Sequence, residues 1–202
     1  SEIESSFSVV DATSIEQVEQ CVSQAAEDMG PIHGIVNCVG SVLLKPAHLT
    51  SPSEWEETLA TNLTSAFATI RAGCKTLREK GGTIVLMSTA AARLGLPNHE
   101  AIDAAKAGVI GLMQSAAASY AARHIRVTAI APGLVKTPLT ERIWSNEKSA
   151  ELSRTMHASG RLGEPGDVAS LICWLLQPEN DWVTGQVFGV DGGLGTLRVS
   201  GR

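Results

Sequence analysis

Residues 83–89, TIVLMST, and residues 125–133, IRVTAIAPG, are two apolar runs on either side of the alanine-rich stretch 99–124, HEAIDAAKAGVIGLMQSAAASYAARH. Nearly continuous apolar runs of this length are typical of strands that are buried on both faces. The stretch between them is long enough for a helix that crosses to a parallel neighbouring strand. These segments predict a strand, helix and strand within a parallel sheet.

The same alternation continues outward in both directions. Further strands are predicted at 6–11, 32–38 and 186–193, and further helices at 14–30, 51–82 and 164–177. Alternating strands and helices are typical of a parallel sheet with helices on both faces. The sequence therefore predicts one α/β domain over residues 1–202, with a parallel sheet of about five strands.

Composition limits the classes of function. With 202 residues, 44% of them hydrophobic, the chain suits one core, and a net charge of −5 lacks the basic excess that nucleic-acid binding requires. The four cysteines show neither CxxC nor metal-ligand spacing, as expected of reduced thiols. No long apolar run predicts a membrane span. We expect a cytoplasmic protein with a small-molecule substrate, no metal, no nucleic acid and no membrane partner.

Seven motifs, in this order and spacing, resemble the short-chain dehydrogenase/reductase family. They are GIVNCVG, TNLTSAF, IVLMSTAAARLG, AAKAGVIGL, IRVTAIAPGLVKTP, GRLGEPGDVA and VTGQVFGVDGG. The resemblance covers nearly the whole chain. It implies a Rossmann-like, doubly wound α/β fold that moves hydride between NAD(P) and an alcohol or carbonyl substrate.

The start of the chain departs from the family pattern. The family opens with a strand, a glycine-rich turn that holds the pyrophosphate, and a helix, whereas this sequence begins within a segment that resembles the family's third strand. By this resemblance Asp11 lies near the adenine, and the chain is N-terminally truncated with weakened NAD(P) binding. Either residues 6–11 pair directly with 32–37, or other polypeptide supplies the intervening strands. We expect direct pairing if this chain is the whole protein.

The resemblance also assigns the catalytic positions. Lys106 matches the lysine that holds the nicotinamide ribose, and Asn62 matches the asparagine of the proton relay. Thr89, preceded by Ser88, stands at the position of the family serine. The family tyrosine is replaced by Ile102, which has no proton to give, so carbonyl chemistry is expected to be impaired or lost.

Other residues complete the candidate site. His99, three residues before Ile102, is either a replacement proton donor or a loop histidine. Asp103 is expected to be a first-turn acid that the helix dipole stabilises, with no part in catalysis. By resemblance, five further positions border the cofactor: Asn37, Gly40, Pro132, Gly133 and Thr137.

Three classes of function remain open. The first is an NAD(P)-linked oxidoreductase lineage with impaired hydride transfer. The second is a cofactor-independent, esterase-like hydrolase in which Ser88 or Thr89 is the nucleophile and Lys106 the base. The third is a non-catalytic interaction subunit. The family's long paired helices, here 54–79 and 100–123, predict a homodimer or homotetramer.

Overall fold

The computed structural model describes residues 5–198 of the chain. Within them, four parallel strands form one sheet in the order β1-β2-β3-β4. The strands are β1 (Gly34–Asn37), β2 (Gly82–Met87), β3 (Ile125–Pro132) and β4 (Val187–Val190). Strand order follows chain order, so the predicted parallel α/β architecture is confirmed.

The helices connect the strands and cover both faces of the sheet. In chain order they are α1 (Ile15–Met29), α2 (Pro52–Leu59), α3 (Ser65–Thr76), α4 (Ala91–Leu94), α5 (Glu100–Tyr120), α6 (Glu141–Trp144), α7 (Glu147–Met156) and α8 (Pro165–Leu176). A π-helical turn, Ala60–Thr64, joins α2 to α3. The short helices α4, α6 and α7 lie in segments for which the sequence predicted no element.

Local sequence signals explain where the main helices begin and end. Ser51 and Glu54 form a capping box at the start of α2, and Pro165 occupies the first turn of α8. Helix α1 ends at Gly30, whose φ of 84° lies in the left-handed region that glycine adopts without a steric penalty. Gly30, Ser51 and Pro165 lie at or next to the ends of the predicted helices 14–30, 51–82 and 164–177.

The core lies on both sides of the sheet because successive strand residues face opposite ways. Ile84 and Leu86 of β2 pack with α3 and α5, together with Val109 and Met113. Val85, between them, packs on the other face with Leu175 of α8. Both faces of β2 are thereby buried, as its unbroken apolar run predicts.

The predicted strand at residues 6–11 is wrong. Phe7 and Val9 are 94% and 96% exposed, and no residue of this segment joins the sheet. The segment does not pair with β1, whose partner within the described residues is β2. A β-branched run indicates strand propensity, but a strand forms only where a neighbouring backbone accepts its hydrogen bonds. The sheet therefore has four strands and not five in the part of the chain that is described.

No helix between residues 5 and 198 combines the length and apolar character that a membrane crossing requires.

Candidate functional site

The candidate site lies where β1, β2 and β3 end. In an open parallel sheet, ligands bind beyond the carboxyl ends of the strands. Asn37 ends β1, Ser88 follows β2, and Pro132 ends β3. Sequence reasoning placed candidate residues at each of these three strand ends, and the parallel sheet brings the ends to one edge.

Lys106 of α5 extends its side chain to this edge of the sheet. It is only 7% exposed, and its Nζ donates a 2.9 Å hydrogen bond to the carbonyl oxygen of Met87, the last residue of β2. Burial lowers the pKa of the Lys106 ammonium to about 8, an effect that the nearby Cys38 thiolate opposes. The amine is therefore partly neutral in mildly alkaline solution.

Asn62 is fixed by the π-helical turn between α2 and α3. It is 1% exposed, and its Nδ2 donates to the Thr58 carbonyl at 3.0 Å and to the Ser41 hydroxyl at 2.9 Å. Its Oδ1 accepts the Ser41 backbone N–H at 3.1 Å. A π turn inserts a residue into a helix and often occurs at functional sites. Here it carries the side chain that holds the loop after β1.

Gly40 brings Asn62 and Lys106 into one space. A Cβ on Gly40 would lie 3.1 Å from Asn62 Oδ1 and 3.5 Å from Lys106 Nζ. Both polar groups therefore lie within contact distance of Gly40, after the end of β1. Glycine at this position lets the loop after β1 pack closely against Asn62 and Lys106.

The two hydroxyl residues after β2 differ in role. Ser88 is 4% exposed, and its Oγ donates to the Lys106 carbonyl at 2.9 Å, which ties β2 to α5. Thr89 is half-buried, and its Oγ1 accepts the Ala91 N–H at 3.3 Å. Thr89 therefore keeps a hydroxyl proton that it can donate, whereas Ser88 has committed its own.

Ile102 occupies the same face of α5 as Lys106, one turn earlier, and is 5% exposed. His99 is the N-cap residue of α5, and its Nδ1 bonds to the Pro97 carbonyl at 2.8 Å. Asp103 has a buried Oδ1 with no hydrogen-bond partner in the described residues, and burial raises its pKa, against the effect of His99. Among the described contacts, none joins His99 to Lys106.

Three of the residues assigned to the cofactor by resemblance help to shape the turns in which they lie. Asn37 donates to Thr69 Oγ1 at 2.9 Å and accepts the Val39 N–H at 2.8 Å, which shapes the turn after β1. Asp11, which is exposed, accepts the N–H of Thr13 at 2.9 Å in the turn before α1. Thr137 caps a short 3-10 turn after β3. Their part in cofactor binding stays a prediction.

Sequence reasoning missed His157, which holds the loop after β3. This buried side chain accepts the Leu134 N–H at Nε2, 3.1 Å away, and its Nδ1 contacts the Ser153 carbonyl at 2.6 Å. The ring nitrogens therefore place the proton on Nδ1. Gly133 packs against the ring, since a Cβ there would lie 2.5 Å from Nε2. In the sequence, the one signal of a tightly packed loop here is the neighbouring Pro132-Gly133 pair.

Two cavities lie beside the ends of β3 and β4 and not at Lys106. One, of about 320 Å³, is bordered by Gly133, His157 and Asp191, and the other, of about 470 Å³, by Lys136, Arg154 and Arg161. Asp191 accepts the N–H groups of Gly193 and Gly195, so it is committed to its own turn. The candidate site considered below is the Lys106 region, where Nζ has donor hydrogens beyond the one that it gives to Met87. Within residues 5–198 no three His, Cys, Asp or Glu side chains gather as metal ligands.

Comparison with known proteins identifies the family to which this fold belongs. The family model described as enoyl-(acyl carrier protein) reductase matches residues 1–195. The 3-oxoacyl-(acyl-carrier-protein) reductase FabG of Thermotoga maritima is 35% identical over 189 residues, which are 92% of this chain and 75% of that protein. The chain belongs to the short-chain dehydrogenase/reductase family.

Solved structures show the same fold. A short-chain type dehydrogenase/reductase from Mycobacterium ulcerans is 30% identical with a TM-score of 0.89, covering 94% of this chain and 70% of that one. ElxO, whose structure has NADP bound, is also 30% identical, with a TM-score of 0.88, covering 94% of this chain and 77% of its own.

Proposed function

We propose that this chain is an oxidoreductase of the NAD(P)-linked kind whose residues form the nicotinamide-ribose side of a cofactor site. The observation that carries the proposal is the convergence of Asn62 and Lys106 on Gly40, at the carboxyl edge of the sheet. NADP is the first cofactor to test because ElxO is a structural neighbour with NADP bound. The substrate is a small carbonyl compound or alcohol.

The donor set suits a ribose. A lysine ammonium has three hydrogens to donate, and Lys106 gives one of them to Met87. The remaining N–H groups of Lys106 can be donated to ribose hydroxyl oxygens. Asn62, by contrast, commits both Nδ2 hydrogens to Thr58 and Ser41, so it positions the loop and not the sugar. When bound, the dinucleotide supplies or accepts the hydride.

The residues of the chain account for orientation better than for proton transfer. The free hydroxyl proton of Thr89 can bond a substrate carbonyl oxygen and polarise it. Ile102, where the family carries a tyrosine, cannot deliver a proton to that oxygen. We therefore expect carbonyl reduction to be slow, with the proton coming from water.

Binding of the cofactor is tested separately from turnover. NADPH and NADH are titrated into the protein, and the fluorescence of the reduced nicotinamide is followed. We expect saturable binding that weakens at least about tenfold in Lys106→Ala, consistent with the loss of two charge-assisted hydrogen bonds. Lys148→Ala, at an exposed position on α7, is the matched control and is expected to bind as the parent does. Absence of saturable binding at millimolar dinucleotide would refute the proposal.

The hydrolase alternative receives no support from the family model or from the relatives named above. The hydroxyl of Ser88 is donated to the Lys106 carbonyl and is not poised as a nucleophile. A non-catalytic interaction subunit is the outcome that absence of dinucleotide binding would favour.

We also propose that the chain forms a homodimer or homotetramer through the helical segments 54–79 and 100–123. Light scattering at micromolar concentration measures this directly, and a monomer there would contradict it.

A further inference from the structure

Three cationic side chains border the cavity of about 470 Å³ beside the end of β3. Lys136 comes from the loop after β3, Arg154 from the last turn of α7, and Arg161 from the segment between α7 and α8. The acidic residues on the border are Glu164 and Asp167. Cations therefore outnumber carboxylates around this cavity, although the chain as a whole carries a net charge of −5.

The ion pair between Arg161 and Asp167 is a fixed part of the border. Nη1 and Nη2 of Arg161 donate to the two carboxylate oxygens of Asp167 at 2.7 and 2.8 Å, and Nη1 also donates to the Leu162 carbonyl at 3.0 Å. These bonds from Arg161 hold the pKa of the Asp167 carboxyl well below its usual range. Both residues also border the neighbouring cavity of about 320 Å³, so the pair belongs to the wall of each.

The other two cations are held more loosely. Nζ of Lys136 donates to Glu164 Oε1 at 2.8 Å, and Arg154 donates from Nε and Nη2 to one oxygen of Glu151, at 2.9 and 2.6 Å. In each pair the carboxylate side chain is more exposed than the cation, 56% against 43% and 61% against 38%. Exposed pairs stabilise a fold weakly because water screens them, so a ligand can take the place of either carboxylate.

The two loosely held cations retain hydrogens that suit an anion. The Lys136 ammonium has two more hydrogens than the one that Glu164 accepts, and none of the described hydrogen bonds uses Nη1 of Arg154. A phosphate group has three oxygens that accept charge-assisted hydrogen bonds, whereas a carboxylate has two. The set of donors therefore favours phosphate over a carboxylate.

We propose that this cavity binds the phosphate group of a small organic phosphate, with Lys136 and Arg154 as the main donors and the Arg161–Asp167 pair as the fixed wall. Its volume of about 470 Å³ leaves space for an organic group beside the phosphate, since small-molecule sites occupy roughly 300–1,000 Å³. Lys106 is not among the residues that border this cavity, so phosphate binding here does not require the proposed dinucleotide site.

The probe is glycerol 3-phosphate, titrated into the protein in a calorimeter with sodium chloride adjusted to keep the ionic strength constant. We expect saturable binding of one molecule per chain, and no binding of glycerol, which lacks the phosphate. Inorganic phosphate is expected to bind more weakly because it lacks the organic group. Absence of saturable binding at millimolar glycerol 3-phosphate would overturn the proposal, and inorganic phosphate that binds as tightly would overturn the assignment to an organic phosphate.

Two variants locate the phosphate. Arg154→Gln and Lys136→Gln, both at exposed ion pairs, are each expected to weaken binding at least about tenfold, because hydrogen bonds from a charged donor are lost. Lys148→Gln, at an exposed position on α7, removes the same charge away from the cavity border and is expected to change the affinity by less than about twofold. Equal weakening in all three variants would overturn the site.

A substitution of the competing carboxylate is expected to act in the opposite direction. Glu151→Gln removes the charge that occupies Arg154, so we expect glycerol 3-phosphate to bind more tightly, by about threefold or more. Glu147→Gln, one turn earlier on α7 and exposed, is the matched control for the change in net charge. Equal effects of the two substitutions would show that net charge alone governs binding and would overturn the role of Arg154.

Lys106→Ala separates this site from the proposed dinucleotide site. We expect the variant to bind glycerol 3-phosphate as the parent does, whether or not it binds NADPH. Loss of glycerol 3-phosphate binding in Lys106→Ala, with binding retained in Arg154→Gln, would assign the phosphate to the Lys106 region and overturn the second site while leaving the proposed function in place.

Discussion

The hydroxyl of Ser88 donates a 2.9 Å hydrogen bond to the main-chain carbonyl of Lys106, so the end of β2 is joined to the middle of α5. We expect Ser88→Ala to lower the free energy of unfolding by about 1 kcal/mol, because one buried hydrogen bond is lost. Urea denaturation measures this. Ser115→Ala, at an exposed position on the same helix, is the control and is expected to change stability by no more than a few tenths of a kcal/mol. A Ser88→Ala variant as stable as the control would show that the contact is unimportant.

The second prediction concerns Ile102, at the position where the resemblance places the family tyrosine. Ile102→Tyr places a phenol one helical turn before Lys106, where it can donate a proton to a bound carbonyl oxygen. If the chain binds NADPH, we expect carbonyl reduction to rise by roughly 10²-fold or more, the usual contribution of a positioned general acid. Loss of reduced nicotinamide absorbance with a panel of aldehydes and ketones reports the rate.

Ile102→Phe is the matched control for that experiment, since it adds the ring without the hydroxyl. Equal rates in the two variants would show that a phenol at this position does not reach the substrate. Both substitutions enlarge a buried side chain and are expected to cost about 1–3 kcal/mol of stability, which denaturation of each variant checks.

The buried ammonium of Lys106 predicts a pH dependence of stability. Its folded-state pKa is about 8, whereas the ordinary value is 10.5. Between these values the unfolded chain holds a proton that the folded chain has released, so the free energy of unfolding rises with pH through this window, by at most about 3 kcal/mol. Below pH 8 the cost of burying the charge is present in full.

Lys106→Met isolates that contribution, since other groups titrate alike in both proteins. We expect the variant to be more stable relative to the parent at pH 7 than at pH 10, by urea denaturation at several pH values. A difference between the two proteins that stays constant with pH would contradict the burial of a charged Lys106.

The close packing of Gly133 on His157 gives a further prediction. In Gly133→Ala the new Cβ would stand 2.5 Å from His157 Nε2, so the ring must move and the hydrogen bond from Leu134 N is strained. We expect a loss of about 1–3 kcal/mol. Gly166→Ala is the control, because a Cβ there meets nothing within 4 Å. Thermal denaturation that shifts equally in both variants would show that the contact with His157 is not the cause.

The sequence predicted the sheet well where burial on both faces dictates the residues. The runs that became β2 and β3 are largely apolar, and the helix ends at Ser51 and Gly30 follow from local hydrogen bonding and backbone conformation. The segment that contains Phe7 failed because strand propensity does not report whether a partner strand is present.

The site was predictable to the extent that strand ends and the family motifs specify it. The meeting of Asn62 and Lys106 beside Gly40 follows from the parallel sheet, although their roles stay predictions. Ser41 and His157 were not foreseen because their hydrogen-bond partners lie 21 and 23 residues away along the chain, and hydrophobic periodicity does not encode such contacts. Long-range contacts between loops depend on the completed fold.

The π turn at Ala60–Thr64 also determines where the continuous helix formed by α2 and α3 can lose a residue. The Ser65 N–H bonds to the Ala60 carbonyl, so the turn holds one residue more than an α-helical turn. Deleting one residue from α3 would rotate the rest of that helix by about 100° and carry its apolar face away from the sheet. Deleting one residue from the π turn would instead leave a regular α-helix whose two ends keep their orientations. A natural or engineered shortening at this point would therefore spare the core and displace the amide that holds the loop after β1.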